Sequence, residues 1–114
     1  MASELKLREK RRGERVLIRV PVNLRGVAEN GGEVIEPAEA VVVSRHGALL
    51  RTASLLKKDS FLTVTNVFSQ ETEQFRVVWT AEHQTEGRWD IGIEADKPHE
   101  DFWGIRFPPR DRKT

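Results

Sequence analysis

Residues 16–25 read VLIRVPVNLR. Val16, Ile18, Val20, Val22 and Leu24 alternate with Leu17, Arg19, Pro21, Asn23 and Arg25. Successive side chains of an extended chain point to opposite faces, so this period of two describes a half-buried β-strand. Pro21 has no N–H to give to a ladder, which predicts an edge position or a bulge at that point. Downstream, Asn30-Gly31-Gly32 is a turn signal.

The same reading continues along the chain. A second strand is predicted over Glu39–Val43, where three consecutive valines imply burial on both sides or a bend. Ser44-Arg45-His46-Gly47 follows, and then a short strand over Ala48–Thr52. Ser60–Phe68 and Gln74–Thr80 read as two further strands, separated by the polar stretch Ser69–Glu73. Alternation places Phe75, Val77 and Trp79 on one face of the latter. Gly87 ends a loop before Trp89–Ala95, in which Trp89, Ile91 and Ile93 alternate with Asp90 and Glu94. Six short strands at about 8–12-residue spacing, with no long helical pattern, predict an all-β fold. The expected architecture is a six-stranded antiparallel β-barrel, closed or nearly so, because closure removes the edges through which sheets aggregate.

Composition bounds the rest. The chain has 114 residues, 38% of them apolar, with five Phe, three Trp and no Tyr, which is enough for one core. No apolar run approaches the ~18–20 residues of a bilayer-spanning helix. The opening MASELKLREKRRGER lacks the apolar stretch of a secretory signal, so the expected location is cytoplasmic. The absence of cysteine excludes disulfides, thiol catalysis and thiolate metal sites.

The formal net charge of +1 conceals an asymmetry. Residues 1–19 carry seven bases against three acids, a net of +4, and residues 20–114 carry twelve against fifteen, a net of −3. The expected organisation is a basic flexible arm over residues 1–14, a barrel over 15–97 and a C-terminal extension over 98–114. Phe102, Trp103 and Phe107 of that extension are expected to pack on the barrel, since so small a core benefits from added cover, with a dimer face as the alternative. Charge asymmetry of this kind points to an anionic partner, although a solvated terminus carries the same pattern.

Catalytic chemistry finds little support. His46, His83 and His99 are far apart and show no metal-ligand spacing. Ser44 and His46 are two residues apart, yet no nucleophile elbow or glycine-rich oxyanion loop accompanies them. No phosphate-cradling glycine motif of the nucleotide hydrolases or dinucleotide enzymes occurs. The expectation is a non-enzymatic protein with no catalytic residue, no metal and no catalytic cofactor.

Two features carry binding chemistry. Arginines four residues apart recur as Arg8/Arg12, Arg11/Arg15 and Arg15/Arg19. The guanidinium fork matches phosphate oxygens and also the O6/N7 edge of guanine, while a solvated charge run has the same spacing. Arg15 is the best placed, directly before the alternating strand. In Ser44–Gly47, Ser first and Gly fourth suit a tight type I turn. The same segment also offers a ligand a hydroxyl and an approach to the backbone at Gly47.

The order of these motifs resembles the PilZ domain family. The resemblance rests on an RxxxR motif (Arg11-Arg12-Gly13-Glu14-Arg15), a strand ending in "VPV", a [D/N]xSxxG-like turn, "RVVW" and "DIGIEA". It spans roughly residues 8–97, and "FWGIRFPP" is similar to the ending of many single-domain members. PilZ domains are six-stranded barrels that bind the bacterial second messenger cyclic di-GMP. The resemblance implies that Arg11 and Arg15, with Arg12 beside them, grip guanine and phosphate, and that Ser44 and Gly47 belong to the second motif. It also implies a protein partner that reads the liganded state. The departure is Val42, where the family pattern has Asp or Asn. A valine cannot accept from the donors on the guanine Watson–Crick edge, so weakened or lost binding is implied. Arg45, His46 and Arg51 are candidates for replacement contacts.

Two further readings are weighed beside the receptor. One is a degenerate PilZ adaptor that binds protein without nucleotide, with Val42 as its support. The other is a small barrel that binds nucleic acid through its basic arm. The mildly acidic body and the lack of an exposed aromatic ladder in this reading count against nucleic acid.

Overall fold

A computed structural model describes residues 15–95 and 101–104. Six strands run in order: β1 (Val16–Val27), β2 (Glu33–Val43), β3 (Gly47–Thr52), β4 (Phe61–Asn66), β5 (Thr72–Thr80) and β6 (Trp89–Glu94). They close into an antiparallel barrel in the order β1-β2-β3-β6-β5-β4, with β4 pairing back onto β1. The described residues contain no helix, hence none long and apolar enough to cross a membrane.

The alternation in β1 works as the sequence predicts. Val20, Val22 and Leu24 are buried, whereas Asn23 and Arg25 are exposed. β2 is longer than expected, starting at Glu33, because Val27–Glu33 through Leu24–Glu36 pair as a hairpin around Asn30-Gly31-Gly32. In that turn the Asn30 side-chain oxygen accepts the Gly32 N–H at 2.9 Å, and Gly31 takes a φ of 96°. Both phases of this half mix polar and apolar residues, with Glu33 beside Ile35 and Glu36 between Val34 and Ala38, which hid it from period-two reading. Pro21 lies opposite Glu39 on β2, one residue beyond the β4 ladder that starts at Val22. A missing N–H therefore breaks nothing there.

Three bulges shape the wall, between Leu17/Val20 on β1, Ala40/Val42 on β2 and Val77/Trp79 on β5. The second resolves the three valines: Val41 and Val42 together face Leu49, so Ala40 and Val43 both point inward. The third corrects one expectation. Phe75 and Val77 are buried, but Trp79 is 51% exposed. The extra residue Val78 reverses the alternation and turns the indole outward.

One continuous core fills the barrel, including Leu24, Val43, Leu50, Val64, Val77, Ile91 and Ile93. Leu56, fully buried in the β3–β4 connection, covers one end. Phe102 and Trp103 cover the end where β4 finishes, with ring centroids 4.7 Å apart and edge-to-face. Phe75 meets them at 5.7 and 5.9 Å. Asn66, 2% exposed, donates its side-chain N–H to the Phe102 carbonyl at 2.7 Å. Its side-chain oxygen accepts the N–H groups of Phe68 and Ser69. Phe107 and the remainder of the predicted extension lie outside the described residues.

Candidate functional site

On the outer wall, register pairs join Leu17 to Val42, Val42 to Leu49, Leu49 to Gly92 and Gly92 to Trp79. Directly paired residues share a face, so these five positions form one row across five strands. Its members are apolar throughout. Leu17 is 82% exposed, and Val42 and Leu49 are half-buried. Trp79 lies over Gly92: a Cβ added at Gly92 would stand 3.3 Å from the Trp79 Cβ.

A groove of about 450 Å³ opens along this row. Val42, Leu49, Trp79 and Gly92 form its apolar part. Arg15, Ser44, His46, Gly47 and Glu94 supply the polar part. Its volume falls within the range of small-ligand sites, roughly 300–1,000 Å³.

The Ser44–Gly47 turn is built into the barrel. The Ser44 N–H donates to the Gly47 carbonyl at 2.9 Å, and the Ser44 hydroxyl approaches the same oxygen at 3.5 Å. The His46 carbonyl accepts the Ala95 N–H at 2.6 Å, tying the turn to the chain leaving β6. A Cβ at Gly47 would overlap the Ile93 carbonyl oxygen and stand 3.1 Å from the Glu94 Cα. Glycine is thus required here first by the close approach of β6, before any ligand enters. Sequence reading had weighed only the turn and the ligand.

The groove brings together Arg15, Ser44, His46 and Gly47, which are separated in sequence, and Val42 stands beside them. Arg45 and Arg51 are not among its lining residues. Arg45 is half-buried in the turn. Arg51 pairs with Asp90 through Nε at 3.0 Å, on the outer face of β3. The hydrogen bond and the charge of Asp90 raise the Arg51 pKa above its ordinary value. Arg11 and Arg12 lie outside the described residues.

Trp79 and Glu94 are among the lining residues that the sequence does not announce. Alternation places Trp79 on the face of Phe75 and Val77, because period-two counting cannot register a bulge. Glu94 was read only as the polar phase of β6. Its position opposite Gly47 is what brings it to the groove, and that pairing joins strands β3 and β6. Among the described residues no hydrogen bond or ion pair holds the Glu94 carboxylate.

A second hollow of about 370 Å³ runs past Pro21, Glu36, Glu39 and Arg88. Its carboxylates are engaged. Glu36 accepts from Ala53 N, Ser54 N and the Ser54 hydroxyl, at 2.9, 3.1 and 2.7 Å. Glu39 faces Arg19 at 3.4 Å. Among the described residues three aromatic side chains are exposed, Phe61, Phe68 and Trp79. No register pair joins two of them, so they form no stacking ladder.

No family model matches the chain, and no curated protein or solved structure matches it.

Proposed function

We propose that this chain is a non-enzymatic receptor for cyclic di-GMP, of the PilZ type that its motifs resemble. One observation carries the reading: Arg15 of the first motif and Ser44 and Gly47 of the second line the same groove. Their convergence is made by the β1–β2 hairpin, whose register sets Val16 opposite Val43 and so brings the flanking Arg15 and Ser44 together. The roles follow from the chemistry. The Arg15 guanidinium binds phosphate oxygens or the guanine O6/N7 edge. Ser44 offers a hydroxyl at the groove rim, and the apolar row supplies a flat bed for the purine faces. Arg11 and Arg12 join Arg15 by the resemblance. Ligand binding is then read by a protein partner.

Calorimetric titration of the full chain with cyclic di-GMP tests the proposal. The parent protein is expected to bind, and Arg15→Ala is expected to bind roughly ten- to a hundredfold more weakly, the value of one charge-assisted hydrogen bond. Absence of heat for both proteins at tens-of-micromolar ligand overturns the receptor reading.

The second reading is an adaptor that docks protein on this wall without nucleotide. Val42 favours it, because it extends the apolar row between Leu17 and Leu49 where a polar acceptor would interrupt it. It predicts a silent parent and a gain of nucleotide binding in Val42→Asp.

A further inference from the structure

The groove carries charges of both signs, which a site made only for phosphate would not. Arg15 and Glu94 both line it, and Glu94 is exposed with no partner among the described residues. A carboxylate repels a phosphate, and its cross-strand neighbour on β5, Arg76, reaches towards Asp59 at 3.5 Å and leaves the Glu94 oxygens open to the groove. Glu94 is on the outer face of β6, two residues from Gly92 and opposite Gly47 of β3. The Cα spacing along a strand therefore puts it roughly 7 Å from the Gly92 bed on which Trp79 lies. Val42, by contrast, is separated from Gly92 by the whole of β3, about two inter-strand spacings or roughly 10 Å away.

Guanine is the common nucleobase whose Watson–Crick edge presents two adjacent N–H donors, N1–H and the exocyclic N2–H. One carboxylate accepts both in parallel, as it does the two N–H groups of a guanidinium fork. Adenine has no N1–H, and hypoxanthine lacks the N2 amino group. A base lying on the Gly92–Trp79 bed presents its edge to whatever stands at the end of that bed, and the carboxylate there is Glu94.

We propose that Glu94 is the base-reading residue of the groove, accepting the N1–H and N2–H of a guanine whose phosphate is held by Arg15. This rests on the cyclic di-GMP reading above and deepens it. The acceptor absent from position 42 is supplied from β6, at a different point on the wall. Selectivity for guanine thus belongs to Glu94, and overall anion affinity belongs to Arg15.

The test uses the full-length chain and three ligands: cyclic di-GMP, its hypoxanthine analogue and cyclic di-AMP. Dissociation constants are measured for the parent, Glu94→Gln and Glu94→Ala, with thermal unfolding as a control on the fold. The parent is expected to prefer guanine over hypoxanthine by roughly tenfold and over adenine by more. In Glu94→Ala that preference collapses to within about threefold, as cyclic di-GMP affinity falls roughly ten- to a hundredfold. Glu94→Gln falls between the two, because its amide accepts one donor and opposes the other. If the parent binds cyclic di-GMP and Glu94→Ala keeps the same affinity and base preference, Glu94 does not read the base and the receptor reading stands alone. If no protein binds any of the three ligands, the receptor reading itself has failed and this assignment with it.

Discussion

The plugged end of the barrel and the grooved wall are built from similar residues to opposite ends. At the plug, Phe102, Trp103 and Phe75 bury one another, and every polar group of the Asn66 side chain has a partner. On the wall, Trp79 and Leu17 remain exposed and the Glu94 carboxylate is unengaged among the described residues. The first region has satisfied its chemistry internally and reads as structure. The second leaves an apolar bed and charged groups facing solvent, as a binding surface does. Aromatic content alone does not separate them. Satisfaction does.

Substitutions can break or sharpen this contrast. Phe102→Ala removes a fully buried ring from the plug and is expected to cost about 3–5 kcal/mol, read as a lowered midpoint in urea unfolding. Asn66→Ala leaves the Phe102 carbonyl and two N–H groups without their side-chain partner and should cost about 1–3 kcal/mol. Gly47→Ala is expected to cost a similar ~1–3 kcal/mol through the clash with the Ile93 carbonyl, although Gly47 lines the groove. At Gly47, as at the groove-lining core residues Val43 and Ile93, wall and scaffold coincide. Trp79→Ala should change stability by less than about 1 kcal/mol because half the indole is already in water, while weakening ligand binding. Arg51→Ala is the smallest expected effect, under about 1 kcal/mol for a partly exposed ion pair, with no change in binding. A stability loss for Trp79→Ala equal to that of Phe102→Ala would erase the distinction between the two regions.

The sequence shows the barrel more clearly than the site, and the reason is local against non-local information. Period-two alternation is written into single strands, so β1 and β6 are legible from their own residues. The N-terminal half of β2 is not, because its Glu33, Glu36 and Pro37 are held by pairing with β1. Trp79 was misplaced for a related reason: a single extra residue at Val78 reverses which face it occupies, and nothing in the local pattern announces the insertion. Arg15, Ser44 and Gly47 were found through motif spacing, and the barrel does bring them to one groove. Glu94 was out of reach, since its place is set by pairing with β3 and β5, opposite Gly47 and Arg76.

The most direct test of the central claim is chemical-shift mapping of cyclic di-GMP on the isotope-labelled full chain. Perturbations are expected at the Arg15, Ser44, Gly47 and Glu94 amides and at the Trp79 indole N–H, with the Asn66 and Phe102 signals unmoved. Shifts confined to the plugged end, or none at all at saturating ligand, would contradict it.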